Sequence, residues 1–141
     1  MSTKMVLPRG LRNNNPGNIR RSVTGYMGEK ASSDPAFKQF RTMEWGYRAM
    51  FVLLHTYRKR HGLDTPKKMI SRWAPPSENH TDGYIGFVGR EAGLDPDETV
   101  DTLCPGQMIP LVKAMSRVEN GTDAVAEEVA GGWKLFVEHQ P

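Results

Sequence analysis

Cysteine occurs once, at Cys104, so the chain cannot staple itself with an internal disulfide. Its four histidines, His55, His61, His80 and His139, follow no metal-ligand spacing, and neither CxxC nor HExxH occurs. A structural zinc site is not expected, and no metal or cofactor is assigned. No apolar run approaches the ~20 residues needed to cross a bilayer. The opening MSTKMVLPRG carries no apolar stretch long enough for a signal peptide. The expectation is cytoplasmic synthesis, with any role outside the cell needing another exit route. GxSxG, GxGxxG and phosphate-loop patterns are missing, which counts against a serine hydrolase and a nucleotide enzyme. Excess charge is small: 19 Lys and Arg against 16 Asp and Glu leave +3. That mild basic bias suits nucleic acid, an acidic surface or an anionic polymer, and chooses none of them.

What is present fits one domain over 1–141, since 141 residues suffice for a single core. Residues 1–11 read as a loose terminus. Residues 12–42 are dense in Asn, Gly, Pro and Ser, with RNNNPGNIR at 12–20. They read as loops with short strands near 18–23 and 37–41. Tyr47, Met50, Phe51, Leu54 and Tyr57 then share one face of a helix over about 43–61, stopped by Gly62. Asp64 or Thr65 caps a second helix with Pro66 at its first position, ended by Ala74-Pro75-Pro76. A third helix is expected from about 79–81 to Gly93. A short one is expected from Asp95-Pro96 to about Leu103, and a longer one over 107–119, closed by Gly121. A last short helix, capped by Thr122, is expected to run through Ala130 and stop at Gly131-Gly132. The fold class is mainly α (α+β), with an irregular polar lobe near the N-terminus.

Two segments carry candidate chemistry. Glu119 ends an apolar helix, where the helix dipole and apolar neighbours disfavour ionisation. A glutamate kept protonated near neutral pH is what a general acid requires; the plain alternative is a solvated glutamate in the last turn. RWAPPSENHTDGY, residues 72–84, combines Trp73 and two prolines with Glu78, Asn79, Thr81 and Tyr84. An aromatic face beside amides and hydroxyls is the mixture that binds sugars, although Asn79 or Thr81 could equally cap a helix and Trp73 fill the core. YRKRH at 57–61 reads as a solvated face complementing a helix end, so no nucleic-acid partner is expected. Cys104 reads as inert packing.

The motifs RNNNPGNIR, FKQF (37–40), WGYRA (45–49), RWAPPSENHT (72–81) and VENG (118–121) together resemble a phage and prophage family. Its members are described as virion structural or lysozyme-like proteins. The resemblance spans nearly all of residues 9–121. It departs at His80, where the family reads Asp, so a role carried by that Asp does not transfer.

The order of motifs is also similar to bacterial cell-wall glucosaminidases. These carry a helix ending in the catalytic Glu, an NNxFGI-like loop, an F-x-x-Y/F segment, a helix, and an aromatic stretch ending in Tyr. Here the Glu helix comes last, as VENG. The resemblance therefore implies a circularly permuted lysozyme-like domain, a rearrangement that surface termini tolerate. It implies a peptidoglycan glycosidase, hydrolytic or a lytic transglycosylase, with Glu119 as general acid. Asn13, Asn15 and Asn18 would line the cleft beside it, while Trp73, Asn79, Thr81 and Tyr84 would form the opposite wall. A second carboxylate would come from Glu78, Asp82, Asp34 or Glu29, with Glu78 placed first. The partner implied is the cell wall of a bacterial host, reached from the cytoplasm at lysis or with the virion, where other virion proteins are further partners. A monomer is expected. The competing reading is a non-catalytic virion component or wall-binding module.

Overall fold

The computed structural model describes residues 7–141. The expected loose terminus, 1–11, is ordered from Leu7 onward, and residues 1–6 lie outside the described residues. Arg9–Arg12 forms a single helical turn, α1. It must lie close to its neighbours: a Cβ at Gly10 would fall 2.5 Å from Asn120 Oδ1 and 2.8 Å from Asn18 Oδ1.

The polar lobe follows. Two short strands, β1 (Glu29–Lys30) and β2 (Gln39–Phe40), pair antiparallel with Glu29 opposite Phe40. The strand expected at 18–23 reduces to one bridging residue, Arg20, opposite Phe37. The reason is a buried lysine. Lys38 is 1% exposed, and its Nζ donates to the carbonyls of Ser22 and Thr24 at 3.3 and 2.9 Å. Those carbonyls thus find an ammonium instead of a strand partner. Glu29 compensates the charge with both carboxylate oxygens at 3.1 and 3.0 Å, as a buried cation requires.

Five helices complete the chain: α2 (Met43–His61), α3 (Pro66–Trp73), α4 (Thr81–Ala92), α5 (Pro105–Asn120) and α6 (Ala126–Glu138). The described protein is mainly α. Thr42 and Thr65 cap α2 and α3 by accepting the N–H of Trp45 and Lys68. Left-handed Gly62, Gly93 and Gly121 close α2, α4 and α5. Tyr47, Met50, Phe51 and Leu54 of α2 pack with Met108, Leu111 and Met115 of α5 and Phe136 of α6, all fully buried. Each large side chain of this kind stabilises the fold by ~1.5–3 kcal/mol.

Two helix expectations fail for tertiary reasons. Residues 94–104 form turns, because their backbone bonds elsewhere. The Pro96 carbonyl accepts Lys67 N–H at 3.0 Å, and Val100 N–H reaches the Asp64 carbonyl at 2.8 Å. The last helix does not stop at Gly131-Gly132 but runs through both, and Val125 rather than Thr122 precedes it. A Cβ at Gly132 would meet Tyr47 Cβ at 2.5 Å and Glu44 O at 3.0 Å. The glycines let α6 lie against α2, the most extensive helix contact in the fold.

Candidate functional site

The four asparagines of RNNNPGNIR divide into three scaffold residues and one that reaches Glu119. Asn13 donates to Asp34 Oδ2 at 3.0 Å and accepts from Gln39 at 3.0 Å. Asn14, left-handed at φ 51°, donates to the Phe40 carbonyl at 3.1 Å. Asn15 is fully buried; it donates to the carbonyls of Ile19 and Lys38 and accepts Ile19 N–H, at 2.9, 3.0 and 2.9 Å. These side chains replace the ladder bonds that so irregular a backbone lacks. Asn18, left-handed at φ 49°, instead donates from Nδ2 to Glu119 Oε1 at 3.0 Å.

Asp34 anchors the lobe from behind. Arg9 grips it with two bonds of 2.7 and 2.6 Å, and the N–H groups of Ala36 and Phe37 add bonds of 2.8 and 3.0 Å. Arg9 above all, then these donors, hold its carboxyl well below the usual carboxylate range.

Glu119 stands in the last turn of α5, partly buried. Tyr84 of α4 donates its hydroxyl to Glu119 Oε2 at 3.0 Å and lies 3.5 Å from the Met115 carbonyl. Burial raises the Glu119 pKa, while the bonds from Asn18 and Tyr84 pull it back down. Desolvation is thus the leading cause, as expected of apolar neighbours. Tyr84 is itself buried, and its hydroxyl is pushed far above its ordinary pKa, first by burial and then by Glu119. It therefore stays protonated. With Glu119 ionised, Tyr84 donates to it. With Glu119 protonated, the carboxyl can donate to Tyr84 Oη while the phenolic hydrogen turns to Met115. Either charge state finds partners.

Glu119 lines two adjoining clefts. One, of about 540 Å³, is bounded by Gly17, Asn18, Arg20, Tyr57, Trp73, Glu78 and Asn79 among others. The other, of about 460 Å³, is bounded by Asn79, His80, Tyr84, Phe87 and Val118. Trp73 is fixed by its indole N–H, which donates to the Gly17 carbonyl at 3.0 Å. Glu78 is exposed and lies 3.6 Å from Arg20 across the larger cleft.

The sequence-derived site residues separate accordingly. Glu119, Glu78, Asn18, Trp73 and Asn79 share the larger cleft, and Tyr84 sits beneath Glu119 at the smaller one. Asn13 and Asn15 lie behind the cleft, and buried Thr81 donates to the Ala74 carbonyl. Of the other carboxylates considered, Asp34 and Glu29 are held by Arg9 and Lys38. Asp82 is exposed on α4 and outside both cleft linings. Sequence reasoning missed Asn120, whose Nδ2 donates to the Pro16 and Ser116 carbonyls at 2.9 and 3.0 Å and so ties the loop to α5. Its place inside VENG is the only signal. Arg20 and Arg72, both on the cleft, also escaped notice.

Among the described residues no three His, Cys, Asp or Glu converge as a metal site. No described helix is long and apolar enough to cross a membrane. No family model matches the chain. Protein P5 of Pseudoalteromonas phage PM2 is 36% identical over 132 residues, which cover 89% of this chain and 80% of that protein. That extent and identity place the chain in the family of this phage protein, Protein P5.

Proposed function

We propose that the protein is a lysozyme-like peptidoglycan glycosidase with Glu119 as its general acid. The observation that carries this reading is a partly buried carboxyl, raised in pKa by burial, lying at the junction of two clefts. An extended glycan crossing both clefts would pass over that carboxyl. Support for the permuted order comes from the bond between Asn18 and Glu119. The asparagine loop and the Glu helix that adjoin in cell-wall glucosaminidases touch here although 101 positions separate them.

A single-acid route suits the cleft best. Among the described residues Glu78 is the one other carboxylate lining the larger cleft, and it is exposed beside Arg20. In this route Glu119 gives its proton to the glycosidic oxygen as the bond from that oxygen to C1 breaks. The resulting carboxylate, stabilised by Asn18 and Tyr84, then takes the proton from a hydroxyl of the same sugar as that oxygen closes on C1. Glu119 is restored, no water is consumed, and the product is an anhydro sugar. The place of action is the periplasmic wall, reached at lysis or with the virion.

Zymograms and turbidity assays on purified cell walls test the proposal. Parent protein should clear them, Glu119→Gln should lose about 10²–10⁴-fold in rate, and Glu78→Gln should retain most of it. Product masses lower by one water than the hydrolysis products support the single-acid route. Clearing that survives Glu119→Gln removes the assignment. Wall binding without cleavage by the parent would favour the non-catalytic module.

A further inference from the structure

Two arginines line the larger cleft. Arg20 belongs to the polar lobe and Arg72 to the last turn of α3. Each guanidinium lies over an aromatic ring, Arg20 at 5.4 Å from the Phe37 centroid and Arg72 at 5.9 Å from that of Tyr57. A guanidinium held over a ring face can still offer N–H groups to a planar, two-oxygen acceptor. Among the described residues Arg72 has no carboxylate within salt-bridge distance, and Arg20 has only Glu78 at 3.6 Å. Both members of that pair are mostly exposed, at 67% and 59%, so the pair is weak and readily exchanged. The side chains that hydrogen-bond the Glu119 carboxylate are those of Asn18 and Tyr84, not the arginines.

A neutral chain of N-acetyl sugars offers these cations nothing. The anionic groups of peptidoglycan are the free carboxylates of the peptide stems on alternate sugars. We propose that Arg20 and Arg72 are specificity residues that bind stem carboxylates, with a stem carboxylate replacing Glu78 as the partner of Arg20. This rests on the glycosidase reading of the same cleft. It makes the substrate the stem-bearing glycan with its carboxylates free, in preference to amidated glycan or chitin-like oligomers.

The test compares cleavage of sacculi freed of attached anionic polymers with cleavage of the same sacculi after carbodiimide amidation of their stem carboxylates with excess ammonia. Arg20→Gln, Arg72→Gln and the double variant are assayed beside the parent, with melting temperatures checked for equality. The expected result is a KM on strands with free stem carboxylates raised about tenfold by each substitution, with kcat nearly unchanged. On amidated strands parent and variants should coincide. Parent cleavage of both substrates with equal KM overturns the proposal, as does an equal loss on both by the variants. If the parent cleaves neither, the glycosidase reading fails separately. Cosedimentation then decides the arginines' role: parent bound to stem-bearing sacculi and double variant released supports it, and equal binding overturns it.

Discussion

Asn18 Nδ2 lies 3.0 Å from Glu119 Oε1, joining the two ends of the sequence at one carboxylate. The asparagine reaches it only because its backbone is left-handed, at φ 49°. Asparagine tolerates that region better than most residues, and glycine adopts it freely.

Asn18→Gly therefore removes the amide without adding strain, whereas Asn18→Ala does both. The glycine variant should keep its melting temperature within a few degrees and lose roughly tenfold in wall cleavage, the worth of about 1.5 kcal/mol for a hydrogen bond to a charged group. The alanine variant should show the same loss of rate with an added drop in melting temperature. Unfolding scans beside turnover rates check this, and full activity in the glycine variant would deny Asn18 a part at Glu119.

Tyr84→Phe addresses the other carboxylate oxygen. The hydroxyl favours ionised Glu119, so its loss leaves burial less opposed and moves the Glu119 pKa further up. The alkaline limb of the pH–rate profile should shift to higher pH in the variant. The rate on the plateau should fall roughly tenfold, as one stabilising bond of about 1.5 kcal/mol to the departing carboxylate is gone. A limb that stays put or moves down contradicts the geometry.

Much of the helical frame was legible because its signals are local. The stripe from Tyr47 to Tyr57 and the stop at Gly62 match α2 as found, and Thr65 and Gly121 act as the cap and closing residue expected of them. What escaped was set by neighbours distant in sequence. Gly131-Gly132 looks like a helix stop until Tyr47 and Glu44 are seen to need the space. Asp95-Pro96 looks like a helix start until its backbone is seen bonded to the start of α3. In the site, composition marked the asparagine loop but could not tell which amides face inward. Asn13 and Asn15 hold the lobe together, and Asn18 alone of the three reaches Glu119. Arg20 and Arg72 drew no separate reading, since nothing local places them on one cleft.

Stability should carry the mark of Glu119 as well. Its folded pKa is raised by burial, so on raising the pH the unfolded chain loses this proton first. Between the two values unfolding releases a proton, and stability falls as pH rises until the folded pKa is passed. In the Glu119→Gln variant the side chain has no proton to lose, and its amide can still accept from Asn18 and donate to Tyr84. Melting temperatures of Glu119→Gln and parent should nearly coincide below about pH 4, the ordinary glutamate range, and then diverge in favour of the variant as pH rises. Calorimetry across pH checks the sign, and a parent that gains on the variant with rising pH would mean that the bonds from Asn18 and Tyr84 outweigh burial and lower the Glu119 pKa.

The seat of the asparagine loop gives the last prediction. A Cβ at Gly46, in the first turns of α2, would fall 2.1 Å from the Asn14 carbonyl oxygen and 2.7 Å from Pro16 Cδ. Both neighbours belong to the tightly bonded segment that ends at Asn18, so neither yields without moving the amide that meets Glu119. Gly46→Ala should destabilise the protein by about 1–3 kcal/mol, the usual cost of overpacking, and lower activity beyond what the unfolded fraction explains. Gly83, exposed in α4 with open space where its Cβ would stand, is the control. There the same substitution should stabilise by roughly 0.5–1 kcal/mol through helix propensity. Denaturant melts of the two variants side by side read the contrast, and a Gly46→Ala protein as stable as the parent would mean that α2 does not position the loop.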